Sequence, residues 1–412
     1  MLKSSKTSVV LALLALAAFA LAPGVLPPDK VSAVTQMLIA ALFALAFSLL
    51  VGQGGMLSFG HAAYFAIGCF GTVHAMNAAE AGVLPLPTPL MPLAGGLAAL
   101  VAGAVAGFFA TLRSGVYFSM VTLAIAELLY AVAPNLQGLF GGEGGLPAMR
   151  LPWAGIGFDR DIHVYYLVLG WFVVSTLAMY LYTRTSFGRL TVALRENERR
   201  VAFLGYNVHL TKLVVFAISS MFAGIAGGLL AVANENANYI LFSLSNSANV
   251  VLYSFIGGTG AFFGPAVGAG LMSVLGQYLS DSTRIWLLYQ GLAFVLVMMY
   301  LPSGLVPSFT DWLQRLRNSA SQAGSGVLAG IVRLATIGCM LVAGVCLLEL
   351  ASVVFAREYQ AQLIQAASWP AVAVLGLSVA PGTTWVWLAP SAVLVLGGWW
   401  LRAVSKRKEI AQ

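Results

Sequence analysis

Long apolar stretches alternate with short polar breaks along this chain, and the apolar stretches set the predicted elements. Runs at about 8–26, 31–51, 93–112, 115–133, 163–183, 213–233 and 285–301 lie near the ~20 residues a helix needs to cross a bilayer. Main-chain groups in lipid must be satisfied internally, so these runs predict helices. The stretch GQGGMLSFGHAAYFAIG (52–68) carries Gly52, Gly54, Gly55 and Gly60. Each glycine disfavours helix by about 1 kcal/mol relative to alanine, which predicts a broken or re-entrant segment before a span that runs to about 78. A second break, Gly257-Gly258-Thr259-Gly260, predicts two helices joined by a tight turn. Ala99, Gly103 and Gly107 recur every four residues, a spacing that lets helix backbones pack closely in lipid.

One polar interruption has a pattern of its own. Between Arg184 and Lys212 lie Arg189, Arg195, Arg199 and Arg200, with Glu196 and Glu198 as the acids. Leu190, Ala193, Leu194, Val201 and Leu204 fall on one helical stripe, and the charges lie mostly off it. Gly205 stands where a helix commonly ends. The pattern predicts a short amphipathic helix that docks a soluble partner. The bland alternative is a solvated loop that only enforces topology.

Composition narrows the class. The chain has 412 residues, 60% hydrophobic and 8% charged, with a mean hydropathy of +0.89. Soluble domains average about 25% charged residues, so this is a polytopic membrane protein. The net charge of +7 predicts orientation rather than nucleic-acid binding. With the N-terminus inside, Lys3, Lys6, Arg113, the cations of 184–212, Arg315, Arg317, Arg402, Lys406, Arg407 and Lys408 all fall on the inner side. Lys30, Arg150, Arg160, Arg284 and Arg357 fall outside, and Arg333 sits near an inner end. This is the positive-inside asymmetry, and it places 184–212 in the cytoplasm. Val9–Ala22 resembles a signal peptide but reads better as an uncleaved first span.

Candidate chemistry is sparse. A P-loop needs a Gly-Lys dipeptide, which the chain lacks, so ATP cannot bind by that route. His61, His74, His163 and His209 are scattered, and Cys69, Cys339 and Cys346 read as small packed hydrophobes. No metal site and no catalytic cluster is predicted. Glu127 is the single acid deep in a core span. It must face protein or water, either lining a path or making a structural hydrogen bond. The glycine breaks, with Gly52, Ser58, His61, Gly257 and Gly258, could expose main-chain groups to a polar substrate, as broken helices do in transporters. Tight packing explains them equally well.

Residues 303–325 are polar with a Ser/Gly/Asn/Gln cluster and read as a linker. Two apolar segments follow, about 327–355 and 370–401, the second long for one helix and short for two. The expected organisation is a transmembrane core over 1–305, a cytoplasmic linker over 306–325 and additional C-terminal membrane segments over 326–412.

Four stretches together resemble the permease subunits of branched-chain amino-acid ABC transporters of the LivM type. They are Gly52–Gly68, Gly115–Glu127 with Gly141–Leu146 (GGEGGL), Ser186–Lys212, and Ile256–Gly268 (IGGTGAFFGPAVG). The resemblance covers about 30–305. Met56 stands where many members carry Gln, and Gly144 where Asn is common. The resemblance implies an all-α polytopic transmembrane helical bundle with broken or re-entrant helices, the ABC importer permease fold. It implies a bacterial inner-membrane location and a periplasmic solute-binding protein that delivers the cargo. A second homologous permease subunit would complete the path. Two ATPase subunits would hold ATP and Mg, leaving this chain with no cofactor of its own and no enzyme activity. By the same resemblance Ser186–Gly205 is the coupling helix, with Arg189, Ala193, Leu194, Arg195, Glu196, Asn197, Glu198 and Gly205 meeting the ATPase, and the apolar stripe packing in its groove. The cargo is expected to be a branched-chain amino acid; urea, amides or other small solutes are alternatives within the same machinery. An ion-coupled secondary transporter is the alternative outside it.

Overall fold

The computed structural model describes residues 6–153, 155, 157–283, 285–319, 326–366, 372–374, 377–379 and 381–410. Lys3, Arg284 and positions 320–325 of the expected linker lie outside the described residues. The chain divides into two compact units, Met1–Tyr278 with Gln290–Thr310, and Leu279–Tyr289 with Asp311–Gln412.

The helices run α1 (Lys6–Val25), α2 (Pro28–Ser48), α3 (Ala62–Glu80), α4 (Met91–Ala110), α5 (Val116–Val132), α6 (Gln137–Phe140), α7 (Asp161–Arg184), α8 (Ser186–Glu196), α9 (Glu198–Phe203) and α10 (Val208–Asn234). They continue as α11 (Leu244–Gly257), α12 (Gly264–Ser282), α13 (Trp286–Tyr300), α14 (Leu305–Ser319), α15 (Gly326–Val354), α16 (Arg357–Ala366) and α17 (Thr384–Ile410). Two residue pairs, β1 (Leu146–Pro147) and β2 (Asn236–Ala237), join antiparallel. The protein is an all-α polytopic helical bundle. Among the described residues, five helical segments are long and apolar enough to cross a membrane: Lys30–Gln53, Thr88–Ala110, Val116–Asn135, Asp161–Arg184 and Val208–Asn234. The pair Trp286–Tyr300 and Leu305–Trp312, bent by 46°, makes a sixth if taken as one span.

In the first unit α10 lies at the centre, packed by α2, α3 and α4. The α4 repeat closes this contact. Gly103 meets Ser220, Gly107 meets Phe216, and Ala99 meets Gly224, with no room for a Cβ at either Gly103 or Gly224. Removing side chains lets the backbones approach and gain dispersion contact where hydrophobic driving force is absent. Both predicted glycine breaks are real. The first is a π-helical turn, Leu49–Gln53, that widens the end of α2. The second is the turn between α11 and α12, where Gly258 sits at φ +97.

Two features differ from the sequence reading. The polar stretch after Pro302 is helical from Leu305 to Ser319 rather than an open linker, because its apolar residues recur at helical spacing. The apolar stretch near 370 does not begin as a helix: β3 (Val372–Val374) pairs antiparallel with β4 (Leu377–Val379), and α17 starts only at Thr384. In this second unit Leu350, Val354 and Tyr359 form a small core, and the Tyr289 hydroxyl donates to Glu349 Oε1 at 2.9 Å.

Candidate functional site: the α8–α9 loop and the glycine breaks

The segment Arg184–Lys212 folds as two helices, not one. Thr185 opens α8 by accepting from the Gly188 N–H at 3.0 Å. Asn197 then leaves helical geometry (φ −161, ψ 101) and caps α9, its Oδ1 accepting from the Arg200 N–H at 3.0 Å. A short polar side chain that competes for main-chain N–H groups ends one helix and starts the next. At the far end Gly205 (φ +86) closes a Schellman motif, with Tyr206 N–H to Val201 O at 3.4 Å and Gly205 N–H to Ala202 O at 3.0 Å.

The bend decides which side faces out. Leu194 is 1% exposed and Val201 is fully buried, so most of the apolar stripe expected to enter a partner packs on the bundle itself. An amphipathic helix lying on its own protein buries its apolar side there first. Ala193 is half-buried, while Arg189, Glu196, Asn197 and Gly205 are exposed. Arg199 and Arg200 are exposed as well. Beyond them Phe203 is 91% exposed, with Leu204 and Tyr206 also open.

Two cations of this segment bond to the bundle, Lys212 buried and Arg195 from an exposed position. Arg195 donates through Nη1 to the Gly52 carbonyl oxygen, at the end of the π turn. Lys212 is 3% exposed and pairs with Glu198 Oε1 at 2.7 Å, while Glu198 is 42% exposed. Ser114 completes a triangle, accepting from Lys212 Nζ at 2.5 Å and donating to Glu198 Oε2 at 3.0 Å. The triangle ties the α4–α5 turn, α9 and α10 together.

The glycine breaks meet at the same place. A Cβ on Gly52 would lie 2.9 Å from Thr259 O, and one on Gly55 (φ +68) would lie 2.5 Å from Arg195 Cγ. Gly257 leaves no room for a Cβ beside Gly264, and one on Gly258 would lie 2.6 Å from Ser303 O. Gly52, Gly257 and Gly258 thus serve close main-chain packing here. Ser58 and His61 are fully buried further along the same segment. His61 Nε2 lies 3.1 Å from Ser219 Oγ, which itself donates to Ala46 O at 2.7 Å. That arrangement makes Nε2 the protonated nitrogen, and Nδ1 is left without a partner. Phe43, Phe47, Tyr64 and Phe216 surround the ring.

Glu127 stands apart from this junction. It is exposed on the outer face of α5, between Met120 and Leu128. The outer stripe of α4 is equally open but wholly apolar: Leu93, Leu97, Val101, Val105 and Phe109.

The family described as branched-chain amino acid transport system / permease component matches residues 31–301. The chain belongs to this family. The permease is 28% identical over 324 residues to the high-affinity branched-chain amino acid transport system permease protein LivM of Escherichia coli (strain K12), covering 73% of this chain and 75% of that protein. It is 27% identical over 304 residues to the probable branched-chain amino acid transport permease protein LivM of Methanocaldococcus jannaschii, covering 64% and 85%. The ribose import permease protein RbsC of Haemophilus influenzae is 28% identical over 225 residues, covering 53% and 66%. No solved structure matches the chain.

Several residues that organise the permease were not marked by the sequence reading. Ser219 and Ser119 hold the broken segment, Ser119 Oγ donating to Leu57 O at 2.5 Å. Ser247 Oγ accepts from the Ala62 N–H at 3.2 Å, at the start of α3. Hydroxyls on apolar helices carry no visible spacing signal, and only their partners reveal them. Lys212 had a signal: a lysine near the start of a long apolar helix, where it can be buried, needs a nearby acid. At the other end of α10, Glu235 takes the left-handed conformation (φ 53) and pairs with Arg150 Nε at 3.0 Å. The Arg150 guanidinium and main-chain N–H hold the Glu235 carboxyl below the usual carboxylate range against the opposing effect of burial.

Proposed function

We propose that this chain is the membrane-spanning permease subunit of an ATP-driven importer, set in a bacterial inner membrane with its N-terminus on the cytoplasmic side. Separate ATPase subunits dock on α8–α9, a periplasmic binding protein supplies the solute, and a second permease subunit completes the path. The observation that carries this reading is the outer surface of α8–α9. Arg189, Arg199 and Arg200 are exposed on the same segment as an aromatic, Phe203, that is 91% exposed and left uncovered among the described residues. A charged rim around an exposed aromatic suits a protein partner better than bulk water. The contact set differs from the one expected from the sequence: Leu194 packs on the bundle and Arg195 bonds the Gly52 carbonyl, so Arg199, Arg200 and Phe203 take their places.

The test uses the full complex purified in detergent. Arg200→Glu combined with Phe203→Asp should release the ATPases, lowering their recovery with the permease and ATP-driven uptake at least tenfold. Full recovery of ATPases with the double variant would refute the docking surface.

The cargo proposed is a branched-chain amino acid, supported by the LivM relatives. The match to RbsC supports a sugar as the second reading. Competition of leucine and ribose for uptake in vesicles carrying the whole system separates them. Glu127 is proposed to face the path or the second permease, because a carboxylate opening into lipid costs about 3 kcal/mol. Glu127→Leu should assemble normally and change transport rate or selectivity. Unchanged values in a stable complex would remove it from the path.

A further inference from the structure

The α8–α9 loop is joined by main chain only to α7 and α10, so a pull on it would be expected to reach those two spans alone. The geometry points to a third route: Arg195 is a strap that carries movement of the loop to α2 and, through it, to the α11–α12 turn. This rests on the docking reading above and extends it.

The π turn ends α2 with a carbonyl to spare. Gly54, Gly55 and Met56 direct their N–H groups to Leu49, Val51 and Leu50, and no main-chain N–H among the described residues reaches the Gly52 oxygen. Gly52 is buried, so that oxygen needs a donor. It is also the negative end of a helix, where a cation is favoured. Arg195 meets both needs with one guanidinium N–H. Its stem lies across Gly55, where the positive φ and the absence of a side chain give it room. On its other side Gly52 abuts Thr259 O, with 2.9 Å for an added Cβ. A displacement of Arg195 therefore pushes or pulls the end of α2 by a charged, directional contact, and α2 shifts the second glycine break by direct backbone contact. The breaks act here as bearing surfaces for the strap.

The experiment compares wild type, Arg195→Leu and Arg195→Lys in the full complex. Arg195→Leu should keep its ATPases and lose import per ATP hydrolysed at least fivefold. Arg195→Lys, which retains one cationic donor, should recover part of that ratio. A ratio of import to hydrolysis separates coupling from simple loss of folded protein. A second readout places Thr259→Cys on a background with Cys339→Ser and Cys346→Ser. Its thiol-labelling rate should change on ATP binding, and that change should vanish with Arg195→Leu. An unchanged coupling ratio, or an ATP response that survives Arg195→Leu, overturns the strap. Loss of the ATPases from Arg195→Leu also overturns it, by making Arg195 part of the docking surface. Failure of the docking reading shows separately, as ATPases retained by the Arg200→Glu, Phe203→Asp variant.

Discussion

The two ends of α10 are fastened by the same chemistry and different architecture. At each end a buried cation meets a half-exposed acid: Lys212 (3%) with Glu198 (42%), and Arg150 (12%) with Glu235 (39%). At each end α10 carries a charge of the sign opposite to the one its dipole favours, a lysine just past the first turn and a glutamate after the last. The partner supplies the corrective charge. The difference lies in what else holds. At the N-terminal end the triangle of Lys212, Glu198 and Ser114 is made wholly of side chains. At the C-terminal end main chain joins in: Arg150 N–H and Ala148 N–H reach Glu235 at 3.0 Å each, and β1 pairs with β2. Side-chain ties can lengthen and re-form within rotamer changes, whereas a main-chain ladder cannot without refolding the loop. The end of α10 whose ion pair is fastened by side chains alone is the one beside α8–α9, and it is the end expected to move.

Glu198→Leu gives the largest expected break in that comparison. It leaves the Lys212 ammonium with Ser114 alone, and should cost about 2–3 kcal/mol, below the ~3–5 kcal/mol of fully buried pairs because Glu198 is open to water. Lys212→Met, which removes the buried charge instead, should cost less than ~1.5 kcal/mol. Unfolding in detergent measures both, and equal costs would contradict the assignment of the cation as the buried member.

At the other end Glu235→Gln should cost about 1–2 kcal/mol, since Arg150 retains an amide oxygen to approach. It should leave import per ATP untouched. A change in that ratio would show that the C-terminal end also moves. The smallest effect is one of pH. Because the folded Glu235 carboxyl titrates below its unfolded value of about 4.3, its stabilisation is complete above that pH and fades as pH falls through the folded value. The stability gap between wild type and Glu235→Gln should therefore narrow as pH falls below the ordinary carboxylate range. A gap independent of pH would assign the effect to backbone geometry at this left-handed residue.

Much of the fold was legible because bilayer length and helical rise constrain it strongly. The runs read as 93–112, 115–133 and 163–183 correspond to Met91–Ala110, Val116–Val132 and Asp161–Arg184. The glycine clusters at 52–60 and 257–260 located both breaks, since glycine in a helix interior has a definite cost. The direction in which α8 faces was not legible. Leu194 and Phe203 are both large and apolar, and only the bend at Asn197 puts one inside and the other out. The meeting of Gly52, Thr259 and Arg195 was hidden for another reason. It joins Gly52 to Arg195 and to Thr259, each more than 140 residues away in sequence, through carbonyl oxygens, and periodicity carries no record of such contacts. The pairing of Val372–Val374 with Leu377–Val379 was missed because a short apolar run fits strand and helix alike.

The glycine-lined contact between α4 and α10 has a mechanical consequence. With 27 residues, α10 is a rod of about 40 Å. If its Glu235 end is the pivot, a shift of about 2 Å at Lys212, typical of helix movements, is a rotation of only about 3°. Displacement then falls steadily along the rod, largest at Val208 and close to nothing at Val232. Gly103 and Gly107, which have no side chains to interlock, lie toward the end that swings. Against Ser220 and Phe216 these two positions offer no side chain to be displaced, so this close contact should resist a small swing less than interdigitated leucines would.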